Sequence, residues 1–170
     1  MAFGLLPGIG SFAQWDERLD GRIAQAIVSI PAVKLVGFGA AGWLEEADGS
    51  EYHDEIVSDG EGLTHATNRA GGITGGLTNG MPVVLTGMVK PIPTQKEALR
   101  TVNLASGKTV KASKHRSDIT AAPAASVIAE NMLALILADV ILVEFGGSHM
   151  DDVLARWEER RKGVGKLMAH

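Results

Sequence analysis

Leu19, Ile23, Ala26, Ile27 and Ile30 recur at intervals of three and four, which predicts a helix with one apolar face. Asp16 or a neighbour can cap it, and the chain must leave it before Pro31. The run AVKLVGF, Ala32 to Phe38, reads as a strand, and GFGAAGW is a glycine-punctuated turn leading to Trp43 and Leu44. From Glu45 to Gly62 the pattern turns acidic and turn-rich, a solvated excursion or a part that orders against something else. PVVLTGMV reads as a buried strand delivering KPIPT at its end. LRTVNL and TVKAS flank ASGK with enough alternation for a hairpin. Pro123 opens a long helix to Glu144 that is apolar on nearly all sides and so should be central. Phe145-Gly-Gly ends it, and Met150 to about Arg161 forms a charged, amphipathic last helix.

Strands adjacent along the chain with helices segregated predict an α+β fold, a mostly antiparallel sheet packed on helices rather than an alternating βαβ arrangement. The expected unit is residues 1–162, with 163–170 a frayed tail.

Composition narrows the function classes. Sixteen basic against twenty acidic residues give a net charge of -4, with no basic run or aromatic-interleaved basic patch, which argues against nucleic acid. The absence of cysteine excludes a disulfide scaffold and thiolate metal sites. Ala121 to Val143 is near the length of a membrane span, but Glu130, Asn131 and Asp139 fall inside it, so a buried core helix is the better reading than a membrane segment. MAFGLLPGIG lacks the basic start and unbroken apolar stretch of a signal peptide, and a cytoplasmic location is expected.

Four segments carry candidate chemistry. Thr67 to Pro82, TNRAGGITGGLTNGMP, holds two Gly-Gly pairs and an Asn-Gly beside Arg69. It is either a pair of linked turns or a bare floor under a planar or phosphorylated ligand, with Arg69 as anion partner. It lacks the Gly-Lys-Ser/Thr of a phosphate loop. KPIPT, Lys90 to Thr94, sets a cation and a hydroxyl around two rigid prolines, fit to hold a phosphate or simply to end a strand. RSD, Arg116 to Asp118, precedes the long helix; it is an acid/base pair in a cleft or a solvated turn. HDE, His53 to Glu55, with His65 beyond, suits capping or hydrogen bonding better than a metal, because adjacent residues rarely ligate one ion.

Together these pieces resemble the chorismate synthase family. GLLPGIGSFAQWDERLDGRIAQAIVSIPAVK, GSEYHDEI, TNRAGGITGGLTNGMP, KPIPT, RSD, PAAS and AENMLALILAD follow in the family's order, from about Phe3 to Gly147, and look like the second half of its chain. The resemblance implies a lyase that eliminates phosphate from 5-enolpyruvylshikimate-3-phosphate to give chorismate, using reduced FMN without net redox change. It also implies half of a β-α-β sandwich, helices lying between two antiparallel sheets, and a homo-oligomer, usually a tetramer.

On the same resemblance, Gly75, Arg116 and Lys90, Pro91, Ile92, Pro93 and Thr94 would bind FMN, and Asp118 would handle a proton beside the flavin. Asn68 and Arg69 would order their loop or face anionic substrate. Pro31 and Ala32 match a flavin-contacting pair in which relatives usually carry Asn or Gln before Ala; proline offers neither amide nor N–H there. The family's Gly-Glu-Ser-His-Gly and Arg-Ser-Ser motifs are not in this sequence, and His53, His65, His115, His149 and His170 do not match its histidines. The resemblance therefore implies activity only with a complementing N-terminal half; otherwise the chain is a non-catalytic module that binds a partner subunit or flavin.

Overall fold

The computed structural model describes residues 1–58, 62–93, 97–113 and 119–168, with 165–168 as backbone alone. In chain order the elements are α1 (Leu19–Val28), β1 (Val33–Phe38), a 3-10 turn (Ala41–Trp43), α2 (Gly49–Tyr52), β2 (Ile56–Ser58), β3 (Leu63–His65), β4 (Ile73–Thr74) and β5 (Leu77–Thr78). They continue with β6 (Leu85–Val89), β7 (Arg100–Val102), β8 (Thr109–Lys111), α3 (Ala122–Phe145) and α4 (Met150–Met168). The strands form four antiparallel pairs, β1 with β6, β2 with β3, β4 with β5 and β7 with β8. The fold is α+β, as the segregation of helices and strands predicts.

The predicted stripe of α1 is the centre of the core: Leu19, Ile23, Ala26, Ile27 and Ile30 are all buried. They pack with Ile9, Val83 and one face of α3 (Leu133, Leu137, Val140). Asp16 is not the cap. Arg18 occupies the N-cap without a side-chain bond, because a guanidinium has no acceptor to offer, and the first N–H, that of Leu19, donates instead to the Gly76 carbonyl at 3.1 Å. At the other end the Ser29 hydroxyl donates to the Ala26 carbonyl at 2.6 Å just before Pro31.

β1 and β6 run antiparallel from Val33 opposite Val89 to Phe38 opposite Leu85, with a register irregularity between Val33 and Leu35. PVVLTGMV is not the buried strand its pattern predicts. Val83 is buried, but Thr86, Gly87 and Met88 are exposed, because β6 has β1 on one side and only one covered face. The N-terminal segment adds two bridges, Ala2 to Val83 and Gly10 to Leu77.

The long helix corrects the expectation of a central, fully covered element. Its most apolar window is only 17% buried, although by length and composition it could cross a membrane. One stripe (Ala125, Leu133, Leu137, Val140, Phe145) is covered, and Asp139 pairs with Arg22 of α1. The opposite stripe is exposed because no described element lies on it. Gly146, at φ +56, stops the helix as expected. α4 then runs through Gly163 and Gly165 to Met168, past both the expected end at Arg161 and the start of the expected frayed tail. It docks through Trp157 on the Phe145 ring at 5.3 Å and through Arg160, which donates to the Gly8 carbonyl at 3.1 Å and pairs with Glu144.

Candidate functional site

At one end of the β1–β6 ladder two candidate segments converge. Pro31 and Ala32 follow α1 directly, and the Lys90 N–H donates to the Ala32 carbonyl at 2.8 Å, which ties PA to the start of KPIPT. Ala32 sits at φ +72, the one non-glycine residue with positive φ among the described residues, a conformation that costs about 1–2 kcal/mol. Such strain persists only where the surroundings enforce it. Lys90 is exposed, without a carboxylate partner among the described residues, and Pro91 and Pro93 flank a half-buried Ile92. A groove of about 550 Å³ opens beside this end, between Val33, Leu85 and Val89 on the ladder and Ala122, Ala125 and Glu130 on the first turns of α3. Thr94, Arg116 and Asp118 lie outside the described residues.

The other end of the ladder is closed by the glycine window. Asp54 of the HDE trio is its latch. Its carboxylate accepts the Thr67 hydroxyl at 2.5 Å, the Arg69 N–H at 2.7 Å and the Ala70 N–H at 2.9 Å. Burial acts against its charge, yet the bonds from Thr67, Ala70 and Arg69, with His65 nearby, prevail and hold the carboxyl below the ordinary aspartate value. This is the hydrogen-bonding role that the trio's spacing favoured.

Above the latch, the Arg69 carbonyl accepts from the Ala40 N–H at 2.9 Å and the Tyr52 hydroxyl at 3.3 Å, and its guanidinium lies over the Trp43 ring, 5.1 Å from the centroid. The Asn68 amide donates to the Pro82 carbonyl at 2.8 Å, so it braces the loop. Its Oδ1 is buried without a partner among the described residues, and being an acceptor it suits a donor rather than an anion.

Gly71 answers part of what the window is for. At φ +70, a Cβ there would lie 2.2 Å from the Gly39 nitrogen and 2.7 Å from the Val84 carbonyl oxygen, so backbone packs on backbone. Gly75 differs: at φ +62 an added Cβ meets nothing within 4 Å. Of the two, only Gly75 leaves open space that a ligand could use. It adjoins Gly76, which packs on Ser11 and Arg18 at the start of α1, whereas Ala32 and Lys90 follow the helix's end. The ten-residue α1, about 15 Å long, separates them. The structure thus brings Pro31, Ala32, Lys90, Pro91, Ile92 and Pro93 together, places Asn68 and Arg69 together elsewhere, and leaves Gly75 apart from the first group.

Sequence reasoning missed two residues that hold this arrangement. Trp43 passed as part of a turn, although an aromatic in a glycine-rich stretch is itself a signal. Thr78 passed as part of an Asn-Gly turn. Its buried hydroxyl accepts the Ile9 N–H at 2.9 Å and donates to the Leu6 carbonyl at 2.6 Å, pinning the N-terminal segment to the window.

A profile of the chorismate synthase family matches residues 1–142. The chain belongs to the chorismate synthase family. It is 48% identical over 159 residues to chorismate synthase of Aquifex aeolicus (strain VF5), covering 93% of this chain and 40% of that one. To the Rubrobacter xylanophilus chorismate synthase it is 46% identical over 165 residues, covering 97% of this chain and 42% of that one. A solved structure titled "Crystal Structure of Chorismate Synthase" superposes with a TM-score of 0.78 at 39% identity, over 96% of this chain and 42% of that one. The chain therefore spans about two-fifths of the length of these chorismate synthases. The matched stretch includes the Ala32–Lys90 junction, the Asp54 latch, the glycine window and all but the last turn of α3.

Proposed function

We propose that this chain carries the flavin-holding portion of a chorismate synthase, acting with the part of the family chain it does not span. The activity is elimination of phosphate from 5-enolpyruvylshikimate-3-phosphate to form chorismate in the cytoplasm, within an oligomer. The match at 48% identity over 93% of the chain carries the reading. The Ala32–Lys90 junction fits reduced FMN: Lys90 is a cation free of carboxylates among the described residues, on a proline-stiffened strand end beside an open groove. Lys90, with Thr94 and Arg116, would hold an anionic group; Ala32, through its fixed backbone, would set the shape beneath it. Bound reduced flavin would supply a reducing ring beside the substrate with no net redox change. Asp118 would exchange a proton at that ring, and Arg69, held over Trp43, would face anionic substrate. Gly75 lies beyond the far end of α1, so its contact belongs to a surface completed by another part of the assembly.

Phosphate release by the chain with reduced FMN, alone and with the remaining part of a relative's chain, tests this. No turnover alone and turnover in the complex is the expected result, because catalysis needs groups positioned together. Turnover by the isolated chain overturns the need for a partner. In the active complex, Arg116→Ala should weaken flavin binding by about 1.5–3 kcal/mol. Asp118→Asn should instead lower turnover about 10²-fold at saturating flavin and substrate. The same two-fifths coverage favours a second reading, a non-catalytic module that binds a partner subunit or flavin. A stable complex that binds flavin and never releases phosphate would select it.

A further inference from the structure

Charge is spread unevenly along this chain. Residues 90–116 hold seven of its sixteen basic residues and one of its twenty acidic ones, so a segment of net +6 belongs to a chain of net -4. The described centre of that segment is the β7–β8 hairpin, and every residue of both strands is exposed. None of them belongs to the core. The hairpin is nevertheless well formed. The Ala112 N–H donates to the Leu99 carbonyl and the Asn103 N–H to the Lys108 carbonyl, each at 2.9 Å, and the Asn103 side chain accepts from the Ala105 and Ser106 N–H groups across the turn.

Its register sets Arg100 directly opposite Lys111. Like charges so placed destabilise a ladder, and neither has a carboxylate partner among the described residues. A threonine or glutamate at either place would make a more stable hairpin, so the charge of this pair serves something other than folding. Where the hairpin is rooted says what. Glu97 is four residues beyond Pro93 and so within about 14 Å of it. That is the end of the β1–β6 ladder where Lys90, also without a carboxylate partner among the described residues, stands beside the open groove. Residues 90–116 include no aromatic ring on which a base could stack, so the segment suits small phosphate-bearing anions better than a nucleic-acid strand.

We propose that the β7–β8 hairpin is an electrostatic guide: Arg100, Lys108 and Lys111 gather phosphate-bearing anions, flavin phosphate and substrate phosphate alike, and raise their concentration at the Lys90 end. The inference rests on the reading of Lys90 as part of an anion site and names how that site is filled. A guide acts on arrival and not on residence, so it belongs to association rates and their salt dependence.

Two measurements test it. In the isolated chain, an anionic and a cationic nitroxide of equal size, added as free cosolutes, report the potential at each amide through the relaxation they cause. The Ala32 and Lys90 amides should be relaxed more by the anion, and Arg100→Glu with Lys111→Glu should abolish that preference. Arg100→Glu alone should weaken it while pairing with Lys111 across the ladder, which separates loss of field from loss of fold. Lys162→Glu, on α4 beyond the Trp157 that packs at the opposite end of α3, should leave it unchanged. In the complex with the part of the Aquifex aeolicus relative outside the matched region, stopped-flow association of FMN should slow about tenfold in the double variant at about 10 mM ionic strength and less than about twofold at about 150 mM. Dissociation should not change, and riboflavin, which lacks the phosphate, should associate with both forms at one rate.

Equal relaxation of Lys90 by the two nitroxides overturns the proposal, as does a preference that survives in the double variant. Riboflavin slowing as FMN does would overturn it too, and a loss confined to dissociation would make the hairpin a wall of the site instead of a guide to it. An anion preference set by the hairpin, with no FMN bound by the complex, would leave the guide standing and remove the flavin reading. FMN bound at a rate indifferent to the hairpin would do the reverse.

Discussion

The glycine window and α3 use opposite materials and end in opposite conditions. Between Asn68 and Pro82 there is little apolar side chain to bury, yet the segment is closed, because backbone packs on backbone at Gly39 and Gly71 and Asp54 absorbs the loop's free N–H groups. In α3 nearly every residue is apolar, yet half the surface is bare. Closure in this chain follows the supply of partners within it, not the apolarity of the segment. The window finds its partners at the end of β1, in α2 and in the N-terminal segment; among the described elements α3 packs chiefly on α1 and α4.

The largest effect should come from breaking backbone-on-backbone contact. Gly71→Ala places a methyl 2.2 Å from the Gly39 nitrogen at φ +70 and should cost more than about 3 kcal/mol in urea unfolding, or prevent folding. Gly75→Ala, at φ +62 in open space, should cost only the conformational strain, about 1–2 kcal/mol. Equal losses would mean that the window is held by conformation alone and not by close packing.

Within α3 the two stripes can be compared directly. Leu137→Ala should cost about 2–5 kcal/mol, since Leu137 is only 7% exposed, whereas Leu135→Ala, at 64% exposed, should stay within about 0.5 kcal/mol. Thermal unfolding of both variants measures the difference. Thr78→Val keeps shape but strands the Ile9 N–H and the Leu6 carbonyl, at about 1–3 kcal/mol, and should speed exchange of the Ile9 amide.

These contrasts mark how far the sequence could be read. The α1 stripe was legible because five apolar residues at helical spacing all face one core, and β1, β6, β7 and β8 because their runs carry β-branched residues between turn signals; β2 to β5, two or three residues each, were too short to show a period in stretches that read as turns. Which faces would be covered was not legible. PVVLTGMV and the long helix both read as buried because hydropathy records what a residue can bury, not whether a neighbour lies on it; Met88 and Leu135 are exposed for that reason. Asp16 lost the cap to Arg18 through a tertiary contact, Leu19 N–H to Gly76, that no local signal reports. At the candidate site KPIPT and Pro31-Ala32 were legible singly, but their junction depends on β1 pairing with β6, and antiparallel partners that far apart in sequence leave no short-range mark.

A smaller effect than the loss of packing separates charge from shape at the latch. Asp54 accepts three hydrogen bonds with two oxygens, and the Ala70 N–H falls on the second oxygen. In Asp54→Asn one oxygen becomes an NH₂ that meets a donor, so the variant should be less stable near neutral pH by about 1 kcal/mol, small because the carboxylate is half-exposed and screened. The sign of the pH dependence follows from the carboxyl lying below its ordinary value in the folded chain. Its stabilisation is fully present above the unfolded value, about 3.9, and is lost as pH falls from there through the depressed folded value. The gap in melting temperature between wild type and Asp54→Asn should therefore be constant from neutral pH down to about pH 5 and shrink below that. Because Arg69 is held over Trp43 by the same loop, Trp43 fluorescence should change over the same acid range in wild type and not in the variant. A gap that persists unchanged into the acid range would show that Asp54 acts by shape, and that the window needs an acceptor at this place but not a charge.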